Sequence, residues 1–381
     1  MRPQAPRRGD ASPPRRSGLR LRRLRRHPIA LVAGIVAIVL GLAAVGIAQA
    51  VGRPDGDGDP PGSAASAPGS GSGGLPGVTP SVSGAPTASP SRSMSATSVP
   101  QPSSSTRIAP APGGPFPNAS TTGVPAGTTL TTYSGSCTIT TAGTVIDAKI
   151  VNCGTLVVKA ANVTIKRSRI NGRVDLDTDL SGSSKWHYTL VDSEVDAGVR
   201  QLPAVSYGNM TVLRSEIRGG QTSVQCGENA ISCEVRDSWL HGQRIPDDTN
   251  WHLGGFLSNG GRNIRIIHNT IVCEPPANNR GEGCTGDLNL FGDFAVISDV
   301  VVNGNLLGAN RSSSYCLYAG DAASKPYPRA DHVVITNNVF ARGTNGKCAA
   351  YGPVSGFNSN GVGNVWSNNK WDDGSAVPPE N

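Results

Sequence analysis

The sequence predicts an all-β fold for residues 115–381, a solenoid of about eight stacked coils with three short strands in each. Three observations predict it. One phrase, apolar-x-apolar-x-x-Ser/Asn-x-apolar, recurs along the chain. Its copies are never closer than 22 residues, room for three strands and three turns. The segments between copies are short, β-prone and poor in leucine.

The elements follow in chain order. Residues 1–28 carry ten arginines and one acid, Asp10. The whole chain has 34 Lys+Arg against 27 Asp+Glu, a net charge of +7 and a pI near 9.1. Without that tail, 24 basic and 26 acidic residues remain, a net −2. The basic balance therefore belongs to the tail, and no nucleic-acid partner is expected for the folded part. Residues 29–51 are apolar except for Gln49, long enough to span a bilayer. Flanking arginines set the N-terminus in the cytoplasm and the rest outside. Ala48, Gln49 and Ala50 also have the small-x-small form of a signal-peptidase site. The segment is thus a retained anchor or a leader cleaved after Ala50, and either way the domain is exported. Residues 52–114 are dominated by Gly, Pro, Ser, Ala and Thr. They bury too little apolar surface to offset their ordering entropy and read as a disordered spacer.

The phrase begins at Val163, Tyr188, Met210, Cys233, Ile264, Val300 and Val333, with a weaker copy ending at Val362. Its polar slot falls on Ser168, Ser193, Ser215, Ser238, Asn269, Asn305, Asn338 and Asn360. Period-two alternation gives short strands whose inward side chains stack from coil to coil. The Ser/Asn slot marks a tight turn in which a small polar side chain serves the backbone. Steps of 31, 36 and 33 residues among the later copies place insertions at one corner. A leucine-rich repeat has a similar phrase, but it requires a helical or leucine-studded return.

Eight cysteines (Cys137, Cys153, Cys226, Cys233, Cys273, Cys284, Cys316 and Cys348) all follow the apolar segment. An even number confined to the exported part points to disulfides. Pairing of sequence neighbours, 137–153, 226–233, 273–284 and 316–348, is the arrangement we favour. Zinc is the rival, but no Cys-x-x-Cys or His-x-x-x-His pair occurs.

From these phrases the chain resembles the right-handed parallel β-helix, or pectin-lyase-like, superfamily, and within it exported β-helix proteins of actinobacteria. The phrase looks like that family's second strand, asparagine-ladder turn and third strand, over roughly residues 116–381. The resemblance speaks to fold; the superfamily carries several chemistries.

If the phrase supplies strands two and three, strand one precedes it. The candidates are residues 222–226, 251–257, 287–291, 315–319 and 347–351. Alternation turns Leu253, Leu288, Leu290, Cys226, Cys316 and Cys348 inward. It turns Gln225, His252, Asp287, Asn289, Tyr315 and Lys347 outward, as one polar stripe with coils ~4.8 Å apart. Insertions 242–250, 274–286 and 309–314 flank the stripe. In the family resembled, this face shapes the polysaccharide groove, so a polysaccharide or cell-envelope glycan is the expected partner of a monomeric, membrane-tethered chain.

Two functions fit. In a surface lyase or glycosidase, His252 is the acid/base group, Asp287 the carboxylate, and Lys347 orients a uronate. Gln225, Trp251, Asn289 and Tyr315 then bind substrate, with Trp251 as a stacking ring. Asp287 with Asn289 also suits Ca²⁺, the one cofactor the stripe suggests. In a non-catalytic module, the same stripe holds glycan or stiffens the envelope. Each residue has a structural alternative: His252 as a loop cap, Asp287 and Asn289 as solvent-facing polar groups. Asp247 and Asp248 read as a turn after Pro246, and His241 reads as structural. The Asn-Thr-Asp, Gly-His-Gly and Arg-Ile-Lys phrases of polygalacturonases are absent. Gly254 and Leu257 stand where a His-x-Asp-Gly-x-Gln phrase of related β-helices has Asp and Gln.

Overall fold

Each recurring phrase folds as two short strands joined at a sharp corner. In the first complete copy, Val163–Lys166 is strand two, Ser168 sits in the corner, and Arg169–Asp175 starts strand three. The computed structural model describes residues 115–379. The basic tail 1–28, the apolar segment 29–51 and the linker 52–114 lie outside the described residues. Among those described, no helix is long and apolar enough to cross a membrane. The described residues contain no α-helix, only a 3-10 turn at Ser183–Lys185. That removes the leucine-rich repeat.

Strand two of every coil pairs in parallel with strand two of the next, giving a nine-stranded sheet from Val145–Asp147 to Val365–Ser367. Strands one and three form a second parallel system. It counts as one 17-stranded sheet because Lys149–Val158 and Arg169–Asp175 run unbroken around the corner between these faces. This all-β architecture of long parallel sheets is compatible with a β-helix solenoid.

The register explains why the alternation in the sequence works. On strand two, Ile165, Leu190, Val212, Val235, Ile266, Val302 and Ile335 are successive partners. On strand three the column is Ile170, Val195, Ile217, Leu240, Ile271, Leu307 and Phe340. On strand one it is Val174, Val205, Val224, Phe256, Leu288, Leu317 and Val354. All of these side chains are buried, and each burial contributes about 1.5–3 kcal/mol. A one-residue slip would expose a whole column.

The corner is bonded coil to coil. The backbone N–H of Ser168 donates to Ser193 Oγ, that of Ser193 to Ser215, and that of Ser215 to Ser238. The series continues from Ser238 to Asn269, Asn305, Asn338 and finally Asn369. The last slot is therefore Asn369, not Asn360; the slots number eight, and the sheet has one strand-two segment more, Val145–Asp147, ahead of the first slot. Asn360 lies in a turn whose N–H donates to Asn358 Oδ1. In the last coil Trp366 takes the inward position opposite Ile335, but Asn364 stands where the first apolar residue of the phrase belongs and accepts the Val333 N–H, so the apolar-x-apolar spelling is lost. A terminal coil has a neighbour on one side only, which relaxes the pattern. Phe340, Phe357, Trp366 and Trp371 close that end, with Trp366 Nε1 donating to Val377 O at 2.9 Å.

Four disulfides join Cys137–Cys153, Cys226–Cys233, Cys273–Cys284 and Cys316–Cys348, the neighbour pairing favoured above. No cysteine is free. Each closes a short loop, which limits the unfolded chain.

Candidate functional site

Strand one observed is Thr222–Cys226, Leu253–Ser258, Cys284–Leu290, Tyr315–Ala319 and Gly352–Ser355. The first and fourth match the expected bounds. The last does not: residues 347–351 form the turn before the strand. The register gives the outward column directly: Gln225, Leu257, Asn289, Tyr318 and Ser355 are successive partners. Extra residues lie on both sides of strand one, since 320–330 is also a loop. The expectation of insertions at one corner was too simple.

A cleft of ≈ 340 Å³ opens over this column, lined among others by His252, Leu257, Asn289, Phe291, Asp293 and Lys325. Lys325 Nζ pairs with Asp293 Oδ1 at 2.8 Å and sits 4.5 Å above the Phe291 ring. From Phe291 a row of rings continues toward the C-terminal coils. Phe291 and Tyr318 are 5.0 Å apart, Tyr318 and Tyr315 5.5 Å, and Tyr315 and Tyr351 5.8 Å. Tyr351 is 65% exposed. Burial pushes the Tyr318 hydroxyl above its ordinary pKa, and a hydrogen bond with Ser314 only partly offsets this. Toward the N-terminal coils a smaller cleft of ≈ 200 Å³ is lined by Tyr207, Gln225, Glu228 and Phe294, among others.

His252 is on the rim. Its side chain is exposed, with Nδ1 3.8 Å from Glu282 Oε2. Its backbone carbonyl accepts from Gln221 Nε2 at 2.8 Å. Asn289 is only 2% exposed and its amide is fixed: Nδ2 donates to Gly286 O at 3.0 Å and Phe256 O at 3.3 Å.

Asp287 corrects the expected stripe. It is fully buried instead of facing out. Gly286 and Leu288 pair with Gly254 and Phe256 of the preceding coil, and position 255 between them faces the core. A side chain on Gly255 would run into Ile271. The equivalent residues of neighbouring coils, Ser223, Gly255 and Cys316, are buried as well, so two successive residues turn inward near the start of strand one and the strict alternation on which the outward placement depended fails there. Asp287 Oδ1 accepts from the Cys273 N–H at 2.8 Å, and Oδ2 has no partner. Desolvation holds its carboxyl well above the usual carboxylate range, against the lowering effect of the Cys273 bond.

The residues do not fit Ca²⁺. Asp287 lies in the core while Asn289 lines the cleft, so they share no ligand face. Asp287 does lie within 4.8 Å of the Cys316 and Cys348 sulfurs, but these are joined in a disulfide and are not ligands.

Lys347 is exposed in its turn, with Nζ 3.3 Å from Tyr351 O. His252, Asp287 and Lys347 thus occupy an exposed rim, the core and an exposed turn, so their side chains share no common face. Trp251 is half-buried against Leu253 and the Cys273–Cys284 pair. Asp247 and Asp248 form a turn, with the Asp248 N–H donating to Asn279 Oδ1. Tyr318, Phe291, Tyr351 and Lys325 were missed. For Tyr318 the signal was present: aligning Leu288 and Leu290 with Leu317 and Ala319 puts it between two inward positions. Lys325 had no signal, because it reaches the cleft from an irregular loop.

No protein-family model, curated protein or solved structure matches the chain.

Proposed function

We propose that this chain is an exported, membrane-tethered right-handed β-helix of the pectin-lyase-like kind that engages polysaccharide lengthwise along the strand-one face. The observation that carries it is the row Phe291, Tyr318, Tyr315 and Tyr351, with rings 5.0–5.8 Å apart, continuing the cleft beside His252. Sugar faces stack on such rings; Phe291, Tyr318 and Tyr351 come from three successive coils, spaced by about 4.8 Å, while Tyr315 shares the strand of Tyr318 and widens the row. Leu257, Thr222 and Thr285 in the cleft offer apolar contact and hydroxyls to the same chain. Four disulfides support an oxidising, extracytoplasmic location.

Binding without turnover is the reading favoured, because Asp287 is enclosed and Asp293 is already paired with Lys325. A lyase or glycosidase reaction is the second reading, carried by His252 and Glu282 at 3.8 Å on the cleft rim. A panel of envelope and plant polysaccharides, read for binding by calorimetry and for cleavage by reducing and unsaturated ends, separates the two. Tyr318→Ala is expected to weaken the bound glycan about three- to tenfold, one lost ring contact. Absence of binding to every polysaccharide overturns the proposal. Turnover abolished by His252→Ala replaces the first reading with the second.

A further inference from the structure

On the strand-three face, outside the cleft, one histidine is held between two carboxylates. His241 Nε2 lies 3.0 Å from Glu216 Oε1, and Nδ1 lies 3.5 Å from Glu274 Oε2. Its ring stacks on Trp239 at 3.6 Å with 9° between the planes. Glu216 comes from the coil before. Glu274 comes from the coil after, where it opens the loop closed by Cys273–Cys284. The other charged neighbours are Arg218, bonded to Glu216 at 3.4 Å and Asp196 at 3.1 Å, and Glu194, the cross-strand partner of Glu216, which is paired with Arg169 at 2.7 Å; Arg244 lies 3.7 Å from Asp196.

A neutral imidazole has one N–H and one lone pair, so it cannot donate to two carboxylates; an imidazolium can. Burial works against the charge on His241, yet the bonds to Glu216 and Glu274 outweigh it and its pKa is raised. Glu216 and Glu274 are both lowered, chiefly by the His241 bond and against desolvation.

Glu274 also holds the loops. Its Oε2 accepts from the Gly242 N–H at 2.9 Å, and its own N–H donates to Gln243 Oε1 at 3.3 Å. Further along, Asn278 Nδ2 donates to Pro246 O and Thr249 O. The two stacked loops, 242–252 and 274–283, run straight into His252, Leu253, Gly254 and Thr285 of the cleft, and Glu282 flanks His252.

We propose that doubly protonated His241 is a latch, clamping Glu274 to Glu216 and so fixing the paired loops that wall the cleft. Loss of the Nδ1 proton to solvent turns a lone pair toward the Glu274 carboxylate. The longer bond breaks, while Nε2–H keeps Glu216. Because His241 gains its partners in the folded state, the latch is complete below the ordinary histidine value of 6.5 and is lost as pH rises through the raised value.

The test is hydrogen exchange of segment 274–283 in the full-length chain between pH 6 and pH 9, with Glu274→Gln measured at each pH to cancel the intrinsic rate. In the wild type, protection relative to the variant is expected to fall about two- to fivefold as pH rises, the value of a partly exposed ion pair. The glutamine offers an N–H to the neutral ring, so the variant itself stays level. Equal behaviour of the two proteins at every pH overturns the latch. If Glu274→Gln does not fold, NMR titration of the His241 ring in the wild type decides: a midpoint below 6.5 overturns it. Neither readout needs a ligand, so failure here leaves the glycan reading untouched, and the reverse.

Discussion

From Ser168 to Ser238 the corner of the stack is closed by hydroxyls, and from Asn269 to Asn369 it is closed by amides. A serine Oγ donates back to its own coil, as Ser193 does to Val191 O and Ser215 to Leu213 O. It receives one N–H from the coil before. Each asparagine does more. Asn305 accepts the N–H of Asn269, and its Nδ2 donates to Ile266 O and to Asn338 Oδ1. The coils differ in step. The serine coils have few extra residues, while the asparagine coils carry the inserted loops, the cleft and the ring row. Extra loop lowers local order, and the amide ladder restores it at the corner where the loops do not reach. The difference suggests that the stronger ladder is placed where the functional face makes the coil most irregular.

The largest effect expected from breaking this contrast is at Asn305. Asn305→Ala leaves the Asn269 N–H, the Asn269 amide, Ile266 O and Asn338 Oδ1 short of a partner in a buried corner. Each orphaned group costs about 1–3 kcal/mol, so a loss of about 3–5 kcal/mol is expected after relaxation. Urea denaturation measures it. A loss no greater than that of a serine variant would erase the distinction between the halves.

Next in size is a pH-dependent term that belongs to the asparagine half alone. The folded pKa of Asp287 is raised above 3.8, so between those two values the native state binds more protons than the unfolded state. Stability then falls as pH rises through that window. Asp287→Asn removes the term. Its stability relative to wild type is expected to be lowest near pH 4 and to grow toward neutrality. Parallel pH–stability curves for the two proteins would show that Asp287 is not held neutral.

A smaller loss, about 1–2 kcal/mol, is expected for Ser215→Ala, which deprives one N–H and one carbonyl. Equality with Asn305→Ala in the same denaturation series is the outcome that breaks the comparison.

How much of this was legible depended on whether a position is fixed by period or by contact. The serine and asparagine slots through Asn338 were readable because the ladder needs one small polar residue per coil. The cysteine pairing was favoured on sequence neighbourhood alone, and the disulfides follow it. Asp287 was misplaced because two successive residues turn inward near the start of strand one, Asp287 with Leu288 as Ser223 with Val224 and Cys316 with Leu317, and alternation has no means of announcing that. Asn369 was missed because Asn364 takes the first apolar position of the phrase at the open end and breaks its spelling. The cleft itself was half visible: Asn289 and His252 were found on the strand and its approach. Phe291, Asp293 and Lys325 were hidden because loop side chains obey no period.

The smallest effect lies on the outside of the same corner. The residue before each slot has positive φ: Arg167, Asp192, Arg214, Asp237 and His268 in one stretch, then Gly304, Asn337 and Asn368. In the first stretch these residues bond from coil to coil, Arg214 with Asp192 as an ion pair at 2.7 Å and His268 Nδ1 with Asp237 Oδ1 at 2.6 Å. In the second, glycine and asparagine adopt the left-handed region at little cost. Arg214→Asn therefore exchanges an exposed ion pair worth about 0.2–1 kcal/mol for relief of a backbone conformation that arginine adopts poorly. The two terms nearly cancel, and a net change within about 0.5 kcal/mol is expected at low salt. Added salt screens the pair in the wild type only, so the variant should gain on the wild type as salt increases. Thermal denaturation in low and high salt reads both parts. A loss above about 1 kcal/mol that ignores salt would mean that Arg214 serves the corner through packing and not through charge.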